Sequence, residues 1–89
     1  MTAELRVLFA KEASRWGEEH PGEGERLAGE VLYWASSVSA AGHAGDAGDL
    51  VVEQIQNVAQ RNGVSPEEVI EQLFSAETAE DVMLLFQVA

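Results

Sequence analysis

The chain has 89 residues, of which 46% are apolar, and its 16 acidic residues against 5 basic ones give a formal net charge of −11. The apolar share is ordinary for a globular domain, so the acidity alone does not indicate disorder. The length allows one domain with one core, residues 1–89. The chain contains no cysteine, which excludes disulfide frameworks, thiolate zinc sites and cysteine nucleophiles.

The sequence has no pattern typical of a membrane span or of a signal peptide. Its apolar runs are much shorter than the roughly 20 residues that a span requires. The first residues also lack a basic segment followed by an apolar one. We therefore expect a cytoplasmic protein without membrane contact.

Negative charge is concentrated after the first third of the chain. Residues 1–30 carry seven acids and four bases, whereas residues 31–89 carry nine acids and one base, Arg61. Such a surface repels nucleic acids and anionic membranes, because both bind proteins largely through lysine and arginine. We expect no direct nucleic-acid partner, and a basic protein surface is the electrostatic partner that remains. Negative charge also keeps a small domain soluble.

Apolar residues recur at three- and four-residue steps, and no segment alternates as a strand does, so the chain is predicted to be all-α. The first helix begins near Thr2, and residues 17–24 break it. The second helix covers residues 25–40. Trp16 and Trp34 lie on the apolar stripes of these helices and are predicted to be core residues. Tyr33 lies off the stripe and is predicted to be exposed.

A glycine- and alanine-rich connector is predicted around residues 41–48, because the pattern Ala-Gly-X occurs there three times in succession. A third helix follows, with Asp46 or Asp49 as its N-cap. It ends before Gly63, since glycine adopts the left-handed conformation without steric cost.

The next helix start carries the most consistent local signals. Ser65 is a suitable N-cap, Pro66 occupies the first helical position, where no amide donor is lost, and Glu68 completes a capping box. A last helix starts after Thr78 and contains five consecutive apolar residues, 82–86. Since a helix that is apolar on all sides is either central or covered, part of its surface is predicted to contact another chain. The fold class is thus a small orthogonal bundle of four to five short helices.

Residues 55–74 resemble the helix-turn-helix of DNA-binding proteins. Ala59 stands four residues before the turn glycine Gly63, and Val69 follows it by six. In that family the second helix enters the major groove with its N-terminal side chains. Here those positions hold Pro66 and three glutamates, and the helix has no lysine or arginine. The corner is therefore predicted to be structural, and DNA contact by this helix is excluded.

The reactive side chains do not have the spacing that catalysis requires. The serines lack a histidine and an acid as companions, and the glutamates of the fourth helix lie on its predicted wet face. We expect no catalytic residue, no resident metal and no cofactor. The expected function is a small acidic, regulatory protein-interaction module, in its sharpest form an inhibitor of a basic or nucleic-acid-binding protein. The predicted partner-binding residues are Glu67, Glu68, Glu71, Glu77, Glu80, Asp81, Met83, Leu84, Phe86 and Tyr33.

Two alternatives come from other classes of protein. The first is a structural or assembly subunit that forms a homodimer or larger homo-oligomer through its C-terminal helix. The second is a cation-binding protein or an enzyme that uses the loop residues His43, Asp46 and Asp49, which lie within seven residues of one another. Light scattering tests the first alternative, and calorimetric titration with divalent metals tests the second.

Overall fold

Five α-helices form the part of the chain that the computed structural model describes, residues 2–40 and 46–87. They are α1 (Thr2–Glu19), α2 (Glu23–Ala40), α3 (Ala47–Asn62), α4 (Pro66–Leu73) and α5 (Ala79–Gln87). The radius of gyration of 12.2 Å agrees with the value of about 12 Å for a compact domain of this length. The predicted all-α bundle is confirmed. None of the helices in residues 2–40 and 46–87 has the length and apolarity needed to cross a membrane.

One apolar core receives side chains from all five helices. Its largest fully buried members are Trp16, Phe86, Ile55, Ile70, Leu73, Val52 and Val82, and α2 adds Leu27. The core position predicted for Trp16 is confirmed, at 2% exposure. Trp34 is partly buried and packs against the core, with its ring centroid 4.8 Å from that of Phe86. Among the described residues no polar or charged side chain is buried.

The connection between α1 and α2 is shorter than predicted. α1 continues through Gly17 to Glu19, and α2 already begins at Glu23. Gly17 does not break the helix. It lies where α1 and α2 touch, and its missing side chain allows this contact, since a Cβ atom added to Gly17 would lie 3.2 Å from the Cα atom of Gly24. The turn itself contains Gly22, whose φ of 86° favours glycine.

The start of α3 resolves the choice between its two candidate caps. Asp46 is the N-cap, since its side chain accepts a hydrogen bond from the Asp49 amide at 2.9 Å. Ala47 and Gly48, which were predicted to belong to the connector, are therefore the first helical residues. The rest of the predicted connector, residues 41–45, lies outside the described residues. At the other end Gly63 has a φ of 66°, the left-handed conformation that was predicted, and it donates its amide to the Ala59 carbonyl.

The predicted starts of the last two helices are confirmed. Ser65 Oγ accepts a hydrogen bond from the Glu68 amide at 3.2 Å, and Pro66 is the first residue of α4. Thr78 Oγ1 accepts a hydrogen bond from the Asp81 amide, also at 3.2 Å, at the start of α5. In each case a side-chain oxygen satisfies an amide that has no partner within the helix.

Replacing Ser65 with alanine is expected to lower the free energy of unfolding by about 1 kcal/mol, because the Glu68 amide loses its acceptor. Urea unfolding followed by circular dichroism measures the effect. Ser14→Ala is the matched control, since Ser14 is exposed within α1. It should raise stability slightly, because alanine has the higher helix propensity. Equal losses in the two variants would contradict the capping role of Ser65.

Side chains of other helices hold both ends of α5. At its start, Glu23 Oε2 accepts a hydrogen bond from the Ala79 amide at 2.6 Å. Near its end, Gln54 Nε2 donates a hydrogen bond to the Phe86 carbonyl at 2.8 Å. Since the start of α2 meets the start of α5, and Trp34 further along α2 meets Phe86, these two helices lie side by side and run in the same direction.

The Glu23 contact predicts a pH dependence of stability. The hydrogen bond from the Ala79 amide, with the positive charge of Arg26 adding to it, holds the pKa of Glu23 below its ordinary value of 4.5. Because the folded-state pKa is the lower one, ionised Glu23 stabilises the fold at neutral pH. This contribution is lost as the pH falls through 4.5 and then through the folded-state value.

Glu23→Gln is therefore expected to be less stable than the parent protein at neutral pH, and the difference should disappear in acid. Urea unfolding of both proteins at neutral pH and well below pH 4.5 measures this. Glu25→Gln is the control, since Glu25 is exposed and accepts no hydrogen bond among the contacts of the described residues. A Glu23→Gln difference that stays constant with pH would show that ionisation of Glu23 does not stabilise α5.

Candidate interaction surface

A groove of about 600 Å³ runs along the surface between α2 and α5. From α2 it is lined by Glu25, Arg26, Gly29, Glu30 and Tyr33, and from α5 by Glu80, Met83, Leu84 and Gln87. The lining residues recur at three- and four-residue steps, so each wall is one face of a helix. The groove exists because α2 and α5 are parallel neighbours, although α3 and α4 separate them in the sequence.

The groove brings together two of the predicted binding residues that are both apolar and exposed. Tyr33 is 77% exposed and Leu84 is 61% exposed. The prediction that Tyr33 is an exposed aromatic residue is confirmed. One turn before Tyr33, Gly29 leaves the α2 wall open, since a Cβ atom added there would meet no other atom within 4 Å.

The prediction that Met83 and Phe86 form part of the accessible apolar surface is wrong. Met83 is 5% exposed and Phe86 is 2% exposed. The physical reason is that α5 packs against α2, α3 and α4, which makes it more central than the small size of the chain suggested. Met83 contributes only to the floor of the groove. Leu84 and Leu85 are the large apolar residues that α5 leaves exposed.

The six predicted carboxylates of the last two helices and their connection are all exposed: Glu67, Glu68, Glu71, Glu77, Glu80 and Asp81. Ion pairs within the described part of the chain join Arg6 to Asp46 and Asp49, Arg15 to Glu12, and Arg26 to Glu23. None of the six carboxylates takes part in these pairs. Their negative charge is therefore directed to solvent or to a partner.

The rim of the groove is also negative. Glu25, Glu30 and Glu80 line it together with a single cation, Arg26. That cation is already paired, because Arg26 lies 3.0 Å from the Glu23 carboxylate. An apolar floor between carboxylates is thus the main chemical feature of this surface.

The loop that was considered as a cation site is only partly described. His43 lies outside the described residues. Asp46 and Asp49 are exposed, but Arg6 lies 3.6 Å and 3.3 Å from their respective carboxylates. A metal ion there would have to compete with this guanidinium group. Across residues 2–40 and 46–87, no three histidine or acidic side chains gather as metal ligands would.

Sequence reasoning missed the α2 wall of the groove, namely Glu25, Gly29 and Glu30. Gly29 lies within α2 and stands four residues before the exposed Tyr33. This spacing could have indicated an open helix face. Three α5 residues of the lining, Glu80, Met83 and Leu84, were predicted, but the groove itself was not recognisable, because nothing in the pattern specifies that α5 pairs with α2.

Comparisons of the chain with models of protein families, with curated proteins and with solved structures find no match. The groove and the six unpaired carboxylates are therefore the features from which a function can be inferred.

Proposed function

We propose that the protein is a small acidic, non-catalytic and regulatory interaction module that acts in the cytoplasm by binding a partner with a basic surface. The observation that carries this proposal is the set of six exposed carboxylates on α4, on α5 and between them. None of these has an ion-pair partner among the described residues.

Electrostatics and apolar contact have separate roles in this proposal. Unpaired carboxylates attract a basic partner over a distance and raise the rate of association, particularly at low salt. Desolvated apolar contacts, such as those available at Tyr33 and Leu84, slow dissociation. A surface that carries both features supports selective binding of a protein.

A non-catalytic role is part of this proposal. General acid–base catalysis uses groups whose pKa is shifted by burial or by a crowded neighbour. The pKa shifts of Arg15 and Glu23 have structural causes. Glu12 raises the pKa of Arg15 through a hydrogen bond, and the Ala79 amide lowers that of Glu23.

The most specific form of the proposal is an inhibitor of a nucleic-acid-binding protein. Such a protein offers lysine and arginine side chains at the spacing of phosphates. The exposed carboxylates of α4 and α5 would occupy those side chains and exclude the nucleic acid. Binding of this kind weakens steeply as salt is added, since it replaces ionic contacts.

Capture from cell extract tests the proposed function. Immobilised protein is exposed to a soluble extract of its source cell at low salt, and the proteins released by added salt are identified by mass spectrometry. The variant Glu67→Gln/Glu68→Gln/Glu71→Gln removes three charges from α4. The control Glu4→Gln/Glu18→Gln/Glu19→Gln removes the same number from α1, where these residues are also exposed.

We expect the parent protein and the α1 variant to retain a basic protein that the α4 variant loses. Retention by all three proteins would overturn the proposal, because the α4 carboxylates would then contribute nothing. Equal loss by both variants would also overturn it, since net charge rather than this surface would be responsible.

The alternative of a homo-oligomeric assembly subunit has less support. In a two-fold symmetric contact the same surface of each copy meets itself. Pairing through α5 would therefore bring together two copies of a surface that carries the exposed carboxylates Glu80 and Asp81. Light scattering at tens of micromolar protein is expected to show a monomer, and a stable dimer would favour the assembly function.

A further inference from the structure

We propose that the groove between α2 and α5 is the docking site for a short, basic amphipathic helix of the partner, an inference that rests on the proposed function. The groove combines exposed apolar side chains on both walls, an acidic rim and an open position at Gly29. Each feature specifies one property of the occupant.

The dimensions of the groove fit two to three turns of helix. Its lining covers residues 25–33 of α2 and 80–87 of α5, which is about 13 Å of helix at roughly 1.5 Å per residue. A furrow between two parallel helices accepts the ridge of side chains of a third helix. A helical occupant also satisfies its own backbone hydrogen bonds, whereas an extended one would place unpaired amides against an apolar floor.

The exposed apolar side chains of the two walls specify apolar anchors on one face of the occupant. Tyr33 and Leu84 stand on opposite walls with most of their surface in water, and Gly29 adds no side chain to the α2 wall. An apolar side chain inserted there would contact both walls. Anchors at three- or four-residue steps would follow the groove along its length.

The rim specifies basic residues beside those anchors. Glu25 and Glu80 lie near the starts of α2 and α5, and Glu30 lies further along α2. Arg26, the single cation of the lining, is held by Glu23. Lysine or arginine in the flanking positions of the occupant would meet these carboxylates, and an acidic or neutral helix would gain no such contact.

A second copy of the chain does not fit the groove. Each copy carries a formal net charge of −11, and the exposed Leu84 of α5 stands beside Glu80 and Asp81 at the acidic groove. Docking one copy on another would place like charges together at the rim, which costs free energy at low salt. The occupant is therefore a different, basic chain.

Nuclear magnetic resonance with a defined probe tests this docking site. The probe is a synthetic peptide of about 14 residues, with leucines on one helical face and lysines elsewhere. A peptide of the same composition with the leucines scattered around the helix is the control. We expect the first peptide to shift the amide resonances of Gly29, Tyr33 and Leu84 more than those of Glu67, Glu68 and Glu71 on α4.

Two variants and a matched control locate the contact. Leu84→Ala removes an apolar wall and should weaken binding of the amphipathic peptide roughly five- to tenfold. Gly29→Leu fills the groove and should weaken it at least as much. Leu32→Ala is the control, because Leu32 is 59% exposed, close to the 61% of Leu84, but does not line the groove. It should leave the affinity unchanged within about twofold.

The outcomes separate the docking site from the proposed function. If the peptide binds at low salt but shifts only α4 resonances, or if Leu84→Ala and Leu32→Ala weaken binding equally, the groove is not the site and the acidic module remains. If both peptides bind equally well, the apolar floor contributes nothing and the docking proposal is wrong. If neither peptide binds at low salt, the docking proposal and the proposed attraction of basic surfaces both fail.

Discussion

Replacing Trp16 with alanine is expected to lower the free energy of unfolding by about 3–5 kcal/mol. Trp16 is 2% exposed, lies 6.1 Å from the Phe74 ring and stacks on His20 with ring centroids 4.6 Å apart. Its Nε1 also donates a hydrogen bond to the Ala76 carbonyl at 2.8 Å. A domain of this size has a total stability of about 4–13 kcal/mol, so the variant loses a large part of it.

Two further variants test the hydrogen bond of Trp16 and its central position in the core. Trp16→Phe keeps most of the buried ring but leaves the Ala76 carbonyl without its donor, and should cost about 1–3 kcal/mol. Trp34→Ala should cost less than Trp16→Ala, because Trp34 is only partly buried. Chemical unfolding followed by circular dichroism measures all three. If Trp34→Ala were the most damaging of them, the position of Trp16 at the centre of the core would be incorrect.

The second large effect is expected at the crossing of α1 and α2. Gly17→Leu should destabilise the protein by about 1–3 kcal/mol, because the new side chain has no room between the helices. The neighbouring atom is the Cα atom of Gly24, only 3.2 Å from an added Cβ. The backbone of Gly24 cannot rotate away as a side chain could, so α1 and α2 must move apart to make room.

The same substitution at Gly29 should change the stability of the protein in the opposite direction. Gly29 also lies within a helix, but an added Cβ meets nothing within 4 Å. Gly29→Leu should therefore raise stability by up to about 1 kcal/mol through helix propensity alone. Thermal unfolding of both variants measures the difference. Two glycine variants that change stability in the same direction would show that α1 and α2 do not meet at Gly17.

Local chemistry made most helix ends predictable. Where the structure differs from the prediction, a contact between helices is the reason. Ser65 and Pro66 define the start of α4 through the backbone of that helix alone, so the sequence contains all of the relevant information. Gly17 carries the same local signal as a helix breaker but serves as a contact between helices. Its role depends on Gly24, and nothing in the sequence shows that the two glycines meet.

The candidate site was predictable in part for the same reason. Tyr33 is off the apolar stripe of its own helix, which was sufficient to predict its exposure. Met83 and Phe86 could not be assigned to the core from their own helix, because α5 is apolar on all sides and its neighbours decide which side is buried. To predict the groove, one would have to know that Glu23 and Ala79, which are 56 residues apart in the sequence, are in contact.

The pairing of α2 with α5 also determines when the proposed binding surface exists. The contacts of α1 with α2 and of α3 with α4 are between consecutive helices. The contact of α2 with α5 instead closes a longer loop, which includes α3 and α4, and its formation carries a greater entropic cost. We expect α5 to dock late in folding, so that both walls of the groove are present only in the completed fold. A ligand held there would bind the native state and not the unfolded chain, and by mass action it would raise the melting temperature as its concentration increases.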